Sequence, residues 1–169
     1  MVRGLEKFKD HFRGYEANYV LIGGTAGSLA MEEAGLQFRA TVDLDIVLCV
    51  EALDPDFVRR FWEFVQAGNC QNRQKSTGER QFYRFYGPED ETFPEMLELF
   101  SRMPDALAYE GEGHLTPIPM GEEASSLSAI LLDESYYEFL HAGKQDLDGL
   151  SVVGPEHIIS HLNYGLKGE

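Results

Sequence analysis

Apolar and polar positions alternate along this chain with changing periods, and the changes mark out its elements. Leu5, Phe8 and Phe12 fall on one face of a helical pattern, predicting a short amphipathic helix from Leu5 to Tyr15. Tyr19-Val20-Leu21-Ile22 is an apolar run of strand length, closed by Gly23-Gly24. A helix is expected over Thr25 to Ala34, with Gly35 as its stop, and a second strand over Val42 to Val50. Pro55 to Gln66 reads as a helix carrying Phe57, Phe61, Trp62 and Phe64, and the polar stretch Gly68 to Glu79 as a loop. Arg80 to Tyr86 and Glu95 to Phe100 alternate like strands, and a Gly- and Pro-rich stretch, Gly111 to Gly121, holds a short candidate strand at Leu115 to Ile118. Asp133 to His141 is a predicted helix and Leu150 to Val153 a predicted strand, and Pro155 opens a final helical segment. This alternation predicts an α+β (α/β-like) domain over 1–169, a sheet covered by helices.

Composition adds exclusions. The chain has 169 residues and a formal net charge of −15, which argues against gripping nucleic acid through a broad basic surface. No apolar stretch approaches the length of a membrane span, and the charged start does not look like a signal peptide. Cys49 and Cys70 form neither a CxxC pair nor a disulfide framework. A cytoplasmic protein with no membrane partner is the expectation.

The chemistry concentrates where Leu21-Ile22-Gly23-Gly24-Thr25-Ala26 is followed by Arg39-Ala40-Thr41-Val42-Asp43-Leu44-Asp45. Side chains two apart on a strand share a face, so Asp43 and Asp45 project together while Leu44 and Ile46 point to the core. Paired carboxylates repel unless a cation lies between them, and Mg²⁺ commonly takes one or two carboxylates plus phosphate oxygens. Glycines allow close backbone approach, and a helix start favours anions. Glu98, a single charge within Met96-Leu97-Glu98-Leu99-Phe100, is the candidate third acid; the other reading places it on the solvent face of an edge strand.

These stretches, with Pro94 to Arg102, Ser125 to Leu132 and Leu150 to Ile159, resemble the nucleotidyltransferase superfamily, and within it the nucleotidyltransferase AbiEii-type toxin family of type IV toxin–antitoxin systems. The resemblance implies a polymerase-beta-like mixed sheet flanked by helices, and a chain shortened relative to longer members with a further C-terminal helical region. It implies that Asp43, Asp45 and Glu98 hold Mg²⁺ (or Mn²⁺) and catalyse transfer of a nucleoside monophosphate from an NTP such as ATP to an acceptor hydroxyl. The acceptor would be tRNA or protein, in a toxin–antitoxin or phage-defence role with a cognate antitoxin as partner. Nucleotide contacts would come from Gly23, Gly24, Thr25, Arg39, Thr41, Arg102 and Lys144. The alternative is a catalytically inactive nucleotide-binding or partner-binding module of the same fold.

Weaker patterns favour ordinary packing. Gly23 to Gly27 lacks the full dinucleotide-loop spacing. His157 and His161 have zinc-compatible spacing but no HExxH glutamate and no clear third ligand. His114 lies in a Gly-rich loop, and Ser125, Ser126 and Ser128 are expected to cap and line a turn.

Overall fold

The computed structural model describes residues 2–36, 42–72, 83–102, 115–117 and 127–157. Helix α1 (Leu5–His11) leads into strand β1 (Tyr19–Ile22), which passes directly into helix α2 (Gly23–Glu33). Strand β2 (Asp43–Leu48) and helix α3 (Pro55–Ala67) follow, then short strands β3 (Gln71–Asn72) and β4 (Arg84–Tyr86) and the longer β5 (Met96–Ser101). Strands β6 (Leu115–Pro117) and β7 (Ser128–Leu131), helix α4 (Glu134–Ala142), and the hairpin β8 (Lys144–Leu147) and β9 (Leu150–Val153) complete the order.

The strands form one mixed, open sheet in the order β3-β4-β5-β2-β1-β9-β8, with β7 also pairing β5 and β6 pairing β7. β1 runs antiparallel to β2 and parallel to β9, and β2 runs parallel to β5. On its remaining edge β5 pairs β4 through Met96 to Glu98 and β7 through Phe100 and Ser101. The fold is thus an α+β sheet flanked by helices, as the alternation predicted, and the sheet is mixed.

Each sheet face has its own core. On one face Leu21, Leu44, Ile46, Leu97, Leu99 and Val152 pack against α1 and α3. The rings of Phe8, Phe12, Phe57, Phe61 and Phe64 meet there in mostly tilted or edge-to-face pairs, an arrangement that adds to simple area burial. On the other face Val20, Ile22, Val47 and Val153 lie under Tyr136, Tyr137 and Leu140 of α4. Among the described residues this apolar cover does not extend to the start of β2, where Asp43 and Asp45 stand on the same face.

Several elements depart from the sequence pattern. α1 ends at His11 rather than Tyr15. α2 begins at Gly23, so the glycine pair forms the first helical turn and not a loop before it. Gln71 and Asn72, expected in a loop, pair with Tyr86 and Phe85, and Ser128, expected in a turn, begins β7. The β8–β9 hairpin turns on Asp148 and Gly149, both with positive φ (53° and 80°), the geometry of a two-residue hairpin turn. The segment 118–126, with Ser125 and Ser126, the loop carrying His114, and the helix expected beyond His157, with His161, lie outside the described residues.

α3 provides the stability test. Asp54 accepts a hydrogen bond from the Phe57 amide at 2.8 Å, and Pro55 holds the first helical position. Asp54→Ala is expected to cost about 1 kcal/mol. Phe61→Ala, at a fully buried ring, is expected to cost about 3–5 kcal/mol. Urea denaturation reads both, and equal losses would contradict the division between cap and core.

Candidate functional site

The site is built by register. Ile22, the last residue of β1, pairs with Asp45, and Asp45 pairs in turn with Glu98 of β5. Asp43 pairs with Met96 one pleat earlier. Paired residues share a face, so Asp43, Asp45 and Glu98 stand on the same side of the sheet. Leu44 and Ile46, on the opposite side, are fully buried. β4 adds Arg84 opposite Glu98 and Tyr86 opposite Met96.

Gly23 closes the end of this row. Its φ is +66°, a conformation that favours glycine, and it lets β1 turn at once into α2. A β-carbon there would lie 2.6 Å from Oδ2 of Asp45. The Asp45 carboxylate therefore rests against the bare backbone at the start of α2, where the helix dipole is positive. No side chain caps that helix start. Thr25 is fully buried and its hydroxyl donates to the carbonyl of Asp43 at 3.0 Å. The side chain of Thr25, expected to hold a phosphate, instead ties α2 to β2.

The electrostatics follow from crowding. Burial, then the neighbouring charges of Glu98 and Asp43, push Asp45 up to about 6, with Arg84 pulling partly the other way. Burial, then Glu98 and Glu95, raise Asp43 as well. Arg84 Nη2 donates to Glu98 Oε2 at 3.2 Å. Arg84, Asp43, Tyr86, Glu95 and Met96 line an open cavity of about 410 Å³.

Sequence spacing missed Arg84, Tyr86 and Glu95. Glu95 precedes β5 and lines the cavity, its carboxylate 2.8 Å from Arg3. Only the antiparallel pairing of β4 with β5 brings Arg84 to this place, and nothing in Arg84-Phe85-Tyr86 alone marks it.

The other expected cations stand elsewhere. Arg102 follows the far end of β5, the length of the strand from Met96. Its guanidinium donates to Glu51 at 2.6 Å and lies over the ring of Tyr137, whose hydroxyl donates to Glu51 at 2.7 Å. Burial alone would raise Glu51, but the hydrogen bonds from Tyr137 and Arg102 outweigh it and hold the carboxyl at about 2. Lys144 reaches toward Cys49, past the far end of β2, with Nζ 4.0 Å from Sγ. It lines a separate cavity of about 420 Å³ with Glu16, His141, Asp146 and Ser151. Neither Arg102 nor Lys144 adjoins the three acids. Arg39 and Thr41 lie outside the described residues. The ring of His157 packs against Phe139, centroids 4.3 Å apart.

The donor set of Asp43 and Asp45 is all oxygen and suits a hard divalent cation, which needs no more than one or two carboxylates. Among the described residues no group of three or more His, Cys, Asp or Glu is close enough together to hold a metal ion. Glu98 shares the face, with its carboxylate engaged by Arg84.

No protein-family model, no curated protein and no solved structure matches this chain. Among the described residues, no helix is long and apolar enough to cross a membrane.

Asp45 makes the protein's stability depend on pH. The unfolded chain loses this proton near ~3.9, while the folded chain keeps it to about 6. Between those values the folded state binds the extra proton, so stability falls as pH rises through that window. Asp45→Asn should therefore stabilise the metal-free protein at pH 7, on the order of 2 kcal/mol, with the gain shrinking toward pH 4. Denaturant titrations across pH 4–7.5 check this, and a loss of stability in the variant at pH 7 would contradict it.

Proposed function

We propose that this chain is a Mg²⁺-dependent nucleotidyltransferase of the polymerase-beta type, moving a nucleoside monophosphate from an NTP to an acceptor hydroxyl. The observation that carries the reading is the shared face of Asp43, Asp45 and Glu98 beside the uncapped start of α2. In this reading Asp43 and Asp45 hold Mg²⁺ or Mn²⁺, and the first amides of α2, at Gly23, Gly24 and Thr25, face the phosphates. The bound cation supplies charge neutralisation between the carboxylates and the phosphate oxygens. Glu98, once free of Arg84, accepts the proton of the attacking hydroxyl. The raised pKa of Asp45 supports this, because a carboxylate destabilised by burial and by like charges gains most from a cation.

The sequence resemblance to the AbiEii-type toxins adds the setting: a toxin–antitoxin or phage-defence protein, with tRNA or a protein as acceptor and an antitoxin as partner. The net charge of −15 favours an acceptor held locally at the site over RNA held along a broad surface. A second reading, a non-catalytic nucleotide- or partner-binding module, draws on the engagement of Glu98 by Arg84 and the burial of the Thr25 hydroxyl.

Incubation with labelled triphosphates, Mn²⁺ or Mg²⁺ and total RNA separates the two. The enzyme reading expects label transfer that chelation abolishes and that Asp43→Ala or Asp45→Ala lowers by about a hundredfold or more. Metal-dependent triphosphate binding with no transfer to RNA, to protein or to the chain itself would support the binding module instead.

A further inference from the structure

Arg84, in the acidic cavity, has a guanidinium whose N–H groups are only partly engaged. Its Nη2 is engaged by Glu98, while its Nε is buried with no hydrogen-bond partner among the described residues. A buried donor without an acceptor is costly, and a guanidinium offers a planar fork of N–H groups matched to phosphate or carboxylate oxygens. Glu98 meets only part of that fork. The nearby Arg3 is committed differently, with Nε donating to the carbonyl of Phe93 at 2.9 Å and Nη1 on Glu95 at 2.8 Å. Arg102 and Lys144 are held at other places in the fold. Among the described residues lining the cavity, Arg84 is the only cation, and it faces Asp43, Glu95, Tyr86 and Met96.

We infer that Arg84 is the anion-binding residue of this cavity: its guanidinium takes the oxygens of a polyphosphate, exchanging Glu98 for the ligand. The inference rests on the reading of the site as one for a metal-bound nucleoside triphosphate, and it assigns the phosphate contact to a residue that the sequence pattern did not single out. An acid-lined cavity repels a bare polyphosphate, so one compensating arginine beside the carboxylates is what allows a polyanion to approach. The exchange also sets Glu98 free. Ligand entry and release of the third carboxylate then become one event, and the Arg84–Glu98 pair keeps that carboxylate engaged until an anion competes for the guanidinium.

Calorimetric binding of inorganic triphosphate and of ATP, each with and without Mn²⁺, tests this on the wild type, Arg84→Gln, Arg84→Lys and Asp45→Asn. Electron paramagnetic resonance follows Mn²⁺ alone, and melting temperatures report folding. Arg84→Gln should weaken both polyphosphates at least about tenfold while binding Mn²⁺ alone as tightly as the wild type or tighter. Arg84→Lys, which keeps the charge and loses the fork, should fall between them, and it carries the test if Arg84→Gln does not fold. Polyphosphate affinity equal in wild type and the Arg84 variants, but lost in Asp45→Asn, overturns the role of Arg84 and leaves the metal site standing. Affinity lost in the Arg84 variants, yet indifferent to Mn²⁺ and to Asp45→Asn, keeps Arg84 as an anion site and removes the metal reading. Failure of the wild type to bind any probe overturns both.

Discussion

The Asp45 carboxylate lies where a side chain on Gly23 would stand, and the arrangement of this end of the molecule depends on that contact. A β-carbon at Gly23 would meet Oδ2 at 2.6 Å. The left-handed turn at Gly23 sends β1 straight into α2. Because Ile22 is paired with Asp45, the turn and the carboxylate must occupy adjoining space, and only a glycine leaves enough of it. The parallel pairing of β2 with β5 then carries the constraint one strand further and sets Glu98 level with Asp45. A one-residue slip in either pairing would move the acid to the aromatic core on the opposite face.

The same sheet face therefore holds two chemistries. Val20, Ile22, Val47 and Val153 are covered by α4, while Asp43, Asp45 and Glu98 continue the row without that cover. Arg84 compensates the acids only in part: it pulls Asp45 down, yet the carboxyl remains at about 6. Charge left unbalanced in a stable fold is what a ligand of opposite sign can relieve, and it is the physical basis for reading this face as a site.

Much of this was legible in the sequence because it rests on local rules. The two-residue spacing of Asp43 and Asp45 set their shared face, and the apolar run before Gly23 set the strand. β9 has the bounds that the pattern predicted. What escaped depended on pairing between distant segments. β8, Lys144-Gln145-Asp146-Leu147, has little apolar content and is a strand because β9 pairs with it; the Asp148-Gly149 turn was the one local signal for the hairpin. Arg84 becomes part of the site only through β4's pairing with β5. Spacing also could not show that Thr25 spends its hydroxyl on the Asp43 carbonyl, or that Arg102 and Lys144 are bound up at other places. A side chain's nearest acceptor is a property of the tertiary structure.

The most direct test of this account is the titration of the Asp45 carboxyl carbon by nuclear magnetic resonance, with and without Mg²⁺. The account expects a midpoint near 6 in the metal-free protein, moving well downward as Mg²⁺ is added. A midpoint near the ordinary ~3.9 that ignores Mg²⁺ would contradict it.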